Sequence, residues 1–174
     1  KAGFIGLLAV AIFMLLFYRF LGLIAVVALL LYTAMLFSLF KLSVLTPFPI
    51  TVTLSGIAGF ILSIGIAVDA NVLIFERTRE ELSFGKGAIK SIKEGFRRAW
   101  PSIRDGHVST LLTTFILIGL GTGFVKGFAV ILALGVLLSL FTAVVLVRIT
   151  TTFFIGEWME KHPWLLVTPK KRIE

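Results

Sequence analysis

The 174-residue chain has no cysteine, which excludes a disulfide framework, a thiolate metal site and a cysteine nucleophile. It has only two histidines, His107 and His162, too far apart in sequence to form a local metal pair. Charge is scarce as well: 15% of the residues are charged, against about 25% in an ordinary soluble domain. What fills the chain instead is apolar: 58% of the residues, with a mean hydropathy of +1.05. Disorder needs low hydrophobicity and is excluded. The composition is that of a membrane protein.

Five apolar segments approach or exceed the roughly 17–25 residues needed to cross a bilayer. They cover 3–17, 20–40, 51–75, 105–120 and 127–147, separated by Tyr18-Arg19, by a connection containing Pro47 and Pro49, by the polar stretch 76–104, and by Gly119, Gly121 and Gly123. Residues 148–174 form a charged tail. The expected architecture is therefore all-α: a polytopic bundle of five transmembrane helices.

The net charge of +8 is a topology signal and does not indicate nucleic-acid binding. Five crossings put Arg19, the 76–104 loop and the tail on one side, with fourteen lysines and arginines; only Lys1, Lys41 and Lys126 fall on the other. The richer side is expected to be cytoplasmic. Lys1 then lies outside and the C-terminus inside, and an outside start predicts a preceding span and an extracytoplasmic region. Within the loop, Ile89, Ile92, Phe96 and Ala99-Trp100 recur at helical spacing among Lys90, Lys93, Arg97 and Arg98. That pattern predicts an amphipathic helix on the cytoplasmic membrane face, in contact with membrane lipids or a partner.

Asp69 stands inside the third span, about 9 Å from its cytoplasmic end at 1.5 Å per residue. A carboxylate at the centre of a membrane helix costs about 2.5–3.5 kcal/mol, so Asp69 is expected to face a bundle interior. Helical spacing puts Ala58, Gly65, Asp69, Val72 and Glu76 on one face, and Ser55, Gly59, Ser63 and Ala70 on an adjacent small-residue face suited to close packing. Asn71 adds a second polar group to the span. In the fourth span Ser102, Asp105, Ser109 and Thr113 share one face, with His107, Thr110 and Thr114 roughly opposite. The hydroxyls are expected to bond carbonyls one turn back, and Asp105 to cap the helix start. In the last span Gly135, Ser139 and Thr142 form another packing stripe.

The run Gly56-Ile57-Ala58-Gly59, followed by Gly65-Ile66-Ala67-Val68-Asp69-Ala70-Asn71-Val72-Leu73-Ile74-Phe75-Glu76-Arg77, resembles the signature of the SecD family, an accessory subunit of the bacterial Sec translocon. Leu120-Gly121-Thr122-Gly123-Phe124-Val125-Lys126-Gly127-Phe128-Ala129 is similar to that family's last hairpin, and Lys1-Ala2-Gly3-Phe4-Ile5-Gly6 to its re-entry into the membrane. Asp-Ala-Asn-Val and Glu76-Arg77 distinguish the chain from the paired SecF family. The resemblance implies half of a resistance-nodulation-division transporter fold in the bacterial cytoplasmic membrane, with a first span and a periplasmic domain ahead of Lys1. The implied partners are SecF, the SecYEG translocon, YajC and a translocating preprotein. Protons are the implied coupling ion, with Asp69 as their relay and no other cofactor. Asp105 matches an aspartate of the family's Asp-small-Asn-(Leu/Val)-Thr-Thr motif, but His107 replaces its usual Asn and Ser109 its first Thr; Arg104 and Ser55 also depart from the pattern.

The expectation is a non-enzymatic subunit that uses the proton motive force to promote secretion. A structural scaffold for the translocon is the alternative. An intramembrane aspartyl protease built on Asp69 and Asp105 would need two carboxylates sharing a proton, and Asp69 is preceded by Ile66-Ala67-Val68 instead of the usual Gly-x-Gly.

Overall fold

The computed structural model describes residues 2–43 and 53–149, which form four helices: α1 (Ala2–Ser43), α2 (Leu54–Ser83), α3 (Ala88–Leu120) and α4 (Gly123–Ile149). The connection with Pro47 and Pro49 and the tail from residue 150 onward lie outside the described residues.

α1 contains both of the first two apolar runs. Arg19 interrupts it at φ 46°, ψ −115°, a conformation that costs a non-glycine residue about 1–3 kcal/mol. The chain doubles back there. Met14 and Tyr18, before the break, pack with Leu21, Ile24 and Ala25 after it, and Leu7 and Val10 reach the cluster of Leu29, Tyr32 and Leu36. The reversal is so tight that a methyl on Gly22 would lie 2.1 Å from the Met14 carbonyl oxygen.

α2 begins where the Thr53 hydroxyl accepts the Gly56 N–H at 3.1 Å, satisfying one of the donors a helix start leaves open. It packs against α1, α3 and α4, as α4 in turn packs against α1, α2 and α3. The polar stretch 76–104, expected as a loop with one amphipathic helix, is different. α2 continues to Ser83, a turn spans 84–87, and α3 runs unbroken from Ala88 to Leu120. Arg98 ties the two helices together: its Nη1 meets Glu81 Oε1 at 2.6 Å and its Nη2 meets Glu80 Oε2 at 3.3 Å, while Lys86 of the turn also pairs with Glu81. The apolar side of 88–100 is buried against the bundle through Ala88, Ile92 and Ala99, and so cannot lie on the membrane surface. Pro101 lies inside α3, exposed between buried Ala99 and Ile103, and with no N–H it cannot donate to the carbonyl one turn back.

Three helices among the described residues are long and apolar enough to cross a membrane, over Ile5–Leu42, Leu54–Ser83 and Gly123–Val145. The chain is an all-α, multi-pass membrane bundle.

Candidate intramembrane carboxylate site

Helix register sets the height of each polar group. A methyl on Gly95 would lie 2.6 Å from the Thr78 backbone nitrogen, so α2 and α3 touch there with almost no side chain between them. The two helices run antiparallel away from that point. Asp69 is nine residues from Thr78 and Asp105 ten from Gly95, which puts both carboxylates at the same depth to within about 1.5 Å.

Both are exposed. Asp69 was expected to face a bundle interior, but it faces away from this chain's own interior, as do Ala58 and Gly65 on the same stripe. The inner side of α2 is taken by Ser63, Ala67, Ala70, Asn71 and Ile74, all buried. Asn71 therefore sits on the opposite side of the helix from Asp69. Asp69 has no hydrogen-bond or ion-pair partner among the described residues. Asp105 is mid-helix, because α3 starts at Ala88, so it caps nothing; its Oδ1 pairs with Arg104 Nη2 at 3.0 Å. Gly106, Ser109 and Thr113 accompany Asp105 on the uncovered side, and an added methyl on Gly65 or Gly106 would meet nothing within 4 Å. Thr113 donates to the Ser109 carbonyl and Thr110 to that of Gly106, each at 3.0 Å.

The small-residue stripes on the inner side form the seam between α2 and α4. A methyl on Gly59 would lie 2.7 Å from the Phe128 carbonyl oxygen, and one on Gly56 would meet Ile131. Gly135 abuts Ser63, whose hydroxyl accepts a 2.8 Å hydrogen bond from Tyr32 and donates to the Phe60 carbonyl at 2.7 Å. Ser139 is buried against His107.

His107 belongs to this inner side. Its Nδ1 lies 2.7 Å from the Ile103 carbonyl oxygen, which can only accept, so Nδ1 carries a proton. In the neutral ring Nε2 is then the acceptor for the Ser139 hydroxyl at 2.6 Å. Both nitrogens are engaged, on the opposite side of α3 from Asp105.

Two polar links were not legible in the pattern of residues. Tyr18, beside the α1 reversal, donates to Glu76 Oε1 at 2.9 Å, and its ring centre lies 5.6 Å from that of Phe75 with the two rings tilted by 50°. Glu81 is buried between Lys86 and Arg98, and its hydrogen bond holds the Arg98 guanidinium above its ordinary basicity. A tyrosine within an otherwise apolar run is the signal that could have pointed to Tyr18 and Tyr32. Nothing in the charge spacing singles out Glu81.

Residues 1–174 match the MMPL family model. The chain is 50% identical over 169 residues to a protein translocase subunit SecD from Thermobaculum terrenum, covering 95% of this chain and 32% of that protein. It is 52% identical over 155 residues to a SecD subunit from Prochlorococcus marinus, covering 89% of this chain and 30% of that one. The chain thus spans about a third of the length of these relatives. The crystal structure of SecDF from Thermus, a translocon-associated membrane protein, superimposes with a TM-score of 0.78 at 42% identity, covering 88% of this chain and 21% of that one. A second SecDF structure, in a super-membrane-facing form, gives 0.76 at 41% identity, covering 88% and 21%. The chain belongs to the MMPL family, as a membrane portion of the SecD type.

Proposed function

We propose that this chain is the membrane part of a SecD subunit that pairs with SecF and uses the proton motive force to promote preprotein translocation through SecYEG, in the bacterial cytoplasmic membrane. The observation that carries the reading is the uncovered α2–α3 face with Asp69 and Asp105 at one depth. Carboxylates at such a depth are not left against lipid, so a second helical bundle covers them, and SecF is the chain that the SecDF likeness supplies.

The two halves of α1, α2, the second half of α3 and α4 then make five crossings. Arg19, the α2–α3 turn and the C-terminus lie in the cytoplasm. Asp69, with no partner among the described residues, is the proton-binding group. One proton crossing 100 mV releases about 2.3 kcal/mol, enough to bias two packings of the paired bundles when Asp69 gains or loses it. The subunit breaks no bond: Asp105 is engaged by Arg104 and is not arranged to share a proton with Asp69.

The test is Asp69→Asn in the full-length protein with SecF. Asn matches the shape but cannot exchange a proton. The complex should assemble normally while stimulation of secretion by the membrane potential is lost; undiminished stimulation would refute the relay.

A further inference from the structure

The charged end of the α2–α3 hairpin carries more cations than it uses. Five carboxylates lie between residues 76 and 105, and every one is engaged: Glu76 by Tyr18 and Arg79, Glu80 by Arg77 and Arg98, Glu81 by Lys86 and Arg98, Glu94 by Arg97, and Asp105 by Arg104. Lys90 and Lys93 are left, both exposed and with no acidic partner among the described residues. At 100° per residue they share one stripe of α3 with Arg97 and Arg104, and Trp100 borders it, stacked on Phe96 at 5.4 Å.

The height of this stripe indicates what it meets. The Thr78–Gly95 contact sets Phe75, the last residue of the apolar run in α2, level with Arg98. Trp100 then lies about 3 Å on the apolar side of that boundary, Lys93 about 7 Å and Lys90 about 12 Å on the aqueous side. The headgroup layer occupies the first 5–7 Å or so outside the hydrocarbon. Aromatic rings concentrate at that boundary, and lysines just beyond it reach lipid phosphates with flexible stems.

We infer that Lys90 and Lys93, with Trp100 as the depth anchor, form a binding site for the phosphate of anionic phospholipids on the outer side of α3. The occupant is lipid rather than an acidic protein because the stripe straddles the apolar boundary, where a headgroup is always present. Each lysine near an anionic surface contributes about fivefold in affinity. The site depends on the membrane crossing and not on the proton-relay reading.

The experiment compares the full-length protein with its Lys90→Gln/Lys93→Gln variant in nanodiscs of phosphatidylcholine with increasing phosphatidylglycerol, reading retained lipid by native mass spectrometry. Neither lysine makes a contact that the fold uses, so the variant should fold as the parent does. Phosphatidylglycerol retention should fall by more than tenfold and phosphatidylcholine retention should not change, while Lys126→Gln at the opposite end of the bundle should leave both unaltered. Unchanged phosphatidylglycerol retention in the double variant overturns the site, as does an equal loss for both lipids. Unaltered lipid retention with loss of an acidic protein partner also overturns it.

Discussion

Alanine at two glycines separates the packed inner side of the bundle from its uncovered face. Gly135 lies where α4 crosses α2, and a methyl there would sit 2.3 Å from Ser63 Cβ, 2.5 Å from its Oγ and 2.8 Å from the Tyr32 hydroxyl. The helices must part by about 1 Å to restore ordinary contact, or the 2.8 Å Tyr32–Ser63 hydrogen bond must break. Overpacking costs about 1–3 kcal/mol and the lost hydrogen bond about 1 more. Gly135→Ala should therefore destabilise the protein by about 2–4 kcal/mol, roughly 5–10 °C in thermal unfolding. Gly65 has nothing within 4 Å, and alanine there gains up to about 1 kcal/mol of helix propensity. Gly65→Ala should leave the unfolding temperature of the isolated subunit level or slightly raised. Gly65 nevertheless lies one turn from Asp69 on the face assigned to SecF, so the same substitution should reduce co-purification with SecF. A Gly135→Ala protein that melts like the parent would refute the packing argument; a Gly65→Ala protein that assembles normally would refute the covered face.

Three further outcomes are expected. His107→Asn, which removes titration and matches the family residue, should leave proton-dependent secretion intact, measured beside Asp69→Asn. Ser139→Ala removes the hydroxyl from His107 Nε2 and leaves a buried acceptor without a donor, which should lower stability by about 1–3 kcal/mol in the same unfolding assay. Single cysteines at Lys41 and Lys90 in this cysteine-free chain should label from opposite sides of the membrane with an impermeant maleimide; labelling of both from one side would overturn the five crossings.

The apolar runs and the small-residue stripes were legible because they depend on local periodicity. Ser55, Gly59, Ser63 and Ala70 can be placed on one face from spacing alone, and the structure buries all four. The charged stretch was harder, because periodicity does not tell whether an amphipathic segment meets lipid or another helix. Ile92 and Ala99 were assigned to the membrane surface, yet α2 continues past the apolar boundary as a second helix against which they pack. Asp105 was misread as a cap for a related reason. The fourth apolar run starts there, but α3 had begun at Ala88, and an apolar run need not coincide with a helix. Asp69 was placed in an interior on cost alone, and cost does not say which chain supplies that interior.

α2 offers two small-residue surfaces, and the bundle uses one. Gly56 and Gly59 are in van der Waals contact with α4, where any larger side chain would collide. Ala58 and Gly65 on α2 and Gly106 on α3 are exposed, and a methyl on either glycine would meet nothing within 4 Å among the described residues. Glycine within a helix costs up to about 1 kcal/mol relative to alanine, and at Gly65 and Gly106 no contact among the described residues offsets that cost. Both lie within one turn of a carboxylate at the same depth, Gly65 beside Asp69 and Gly106 beside Asp105. On the reading proposed above, a helix from a partner supplies both missing terms at once. It approaches closely where side chains are absent, and it brings polar groups to carboxylates that lipid cannot solvate. On the proposed reading the glycines and the acids on this face are two halves of one interface, and losing either half should loosen the same assembly.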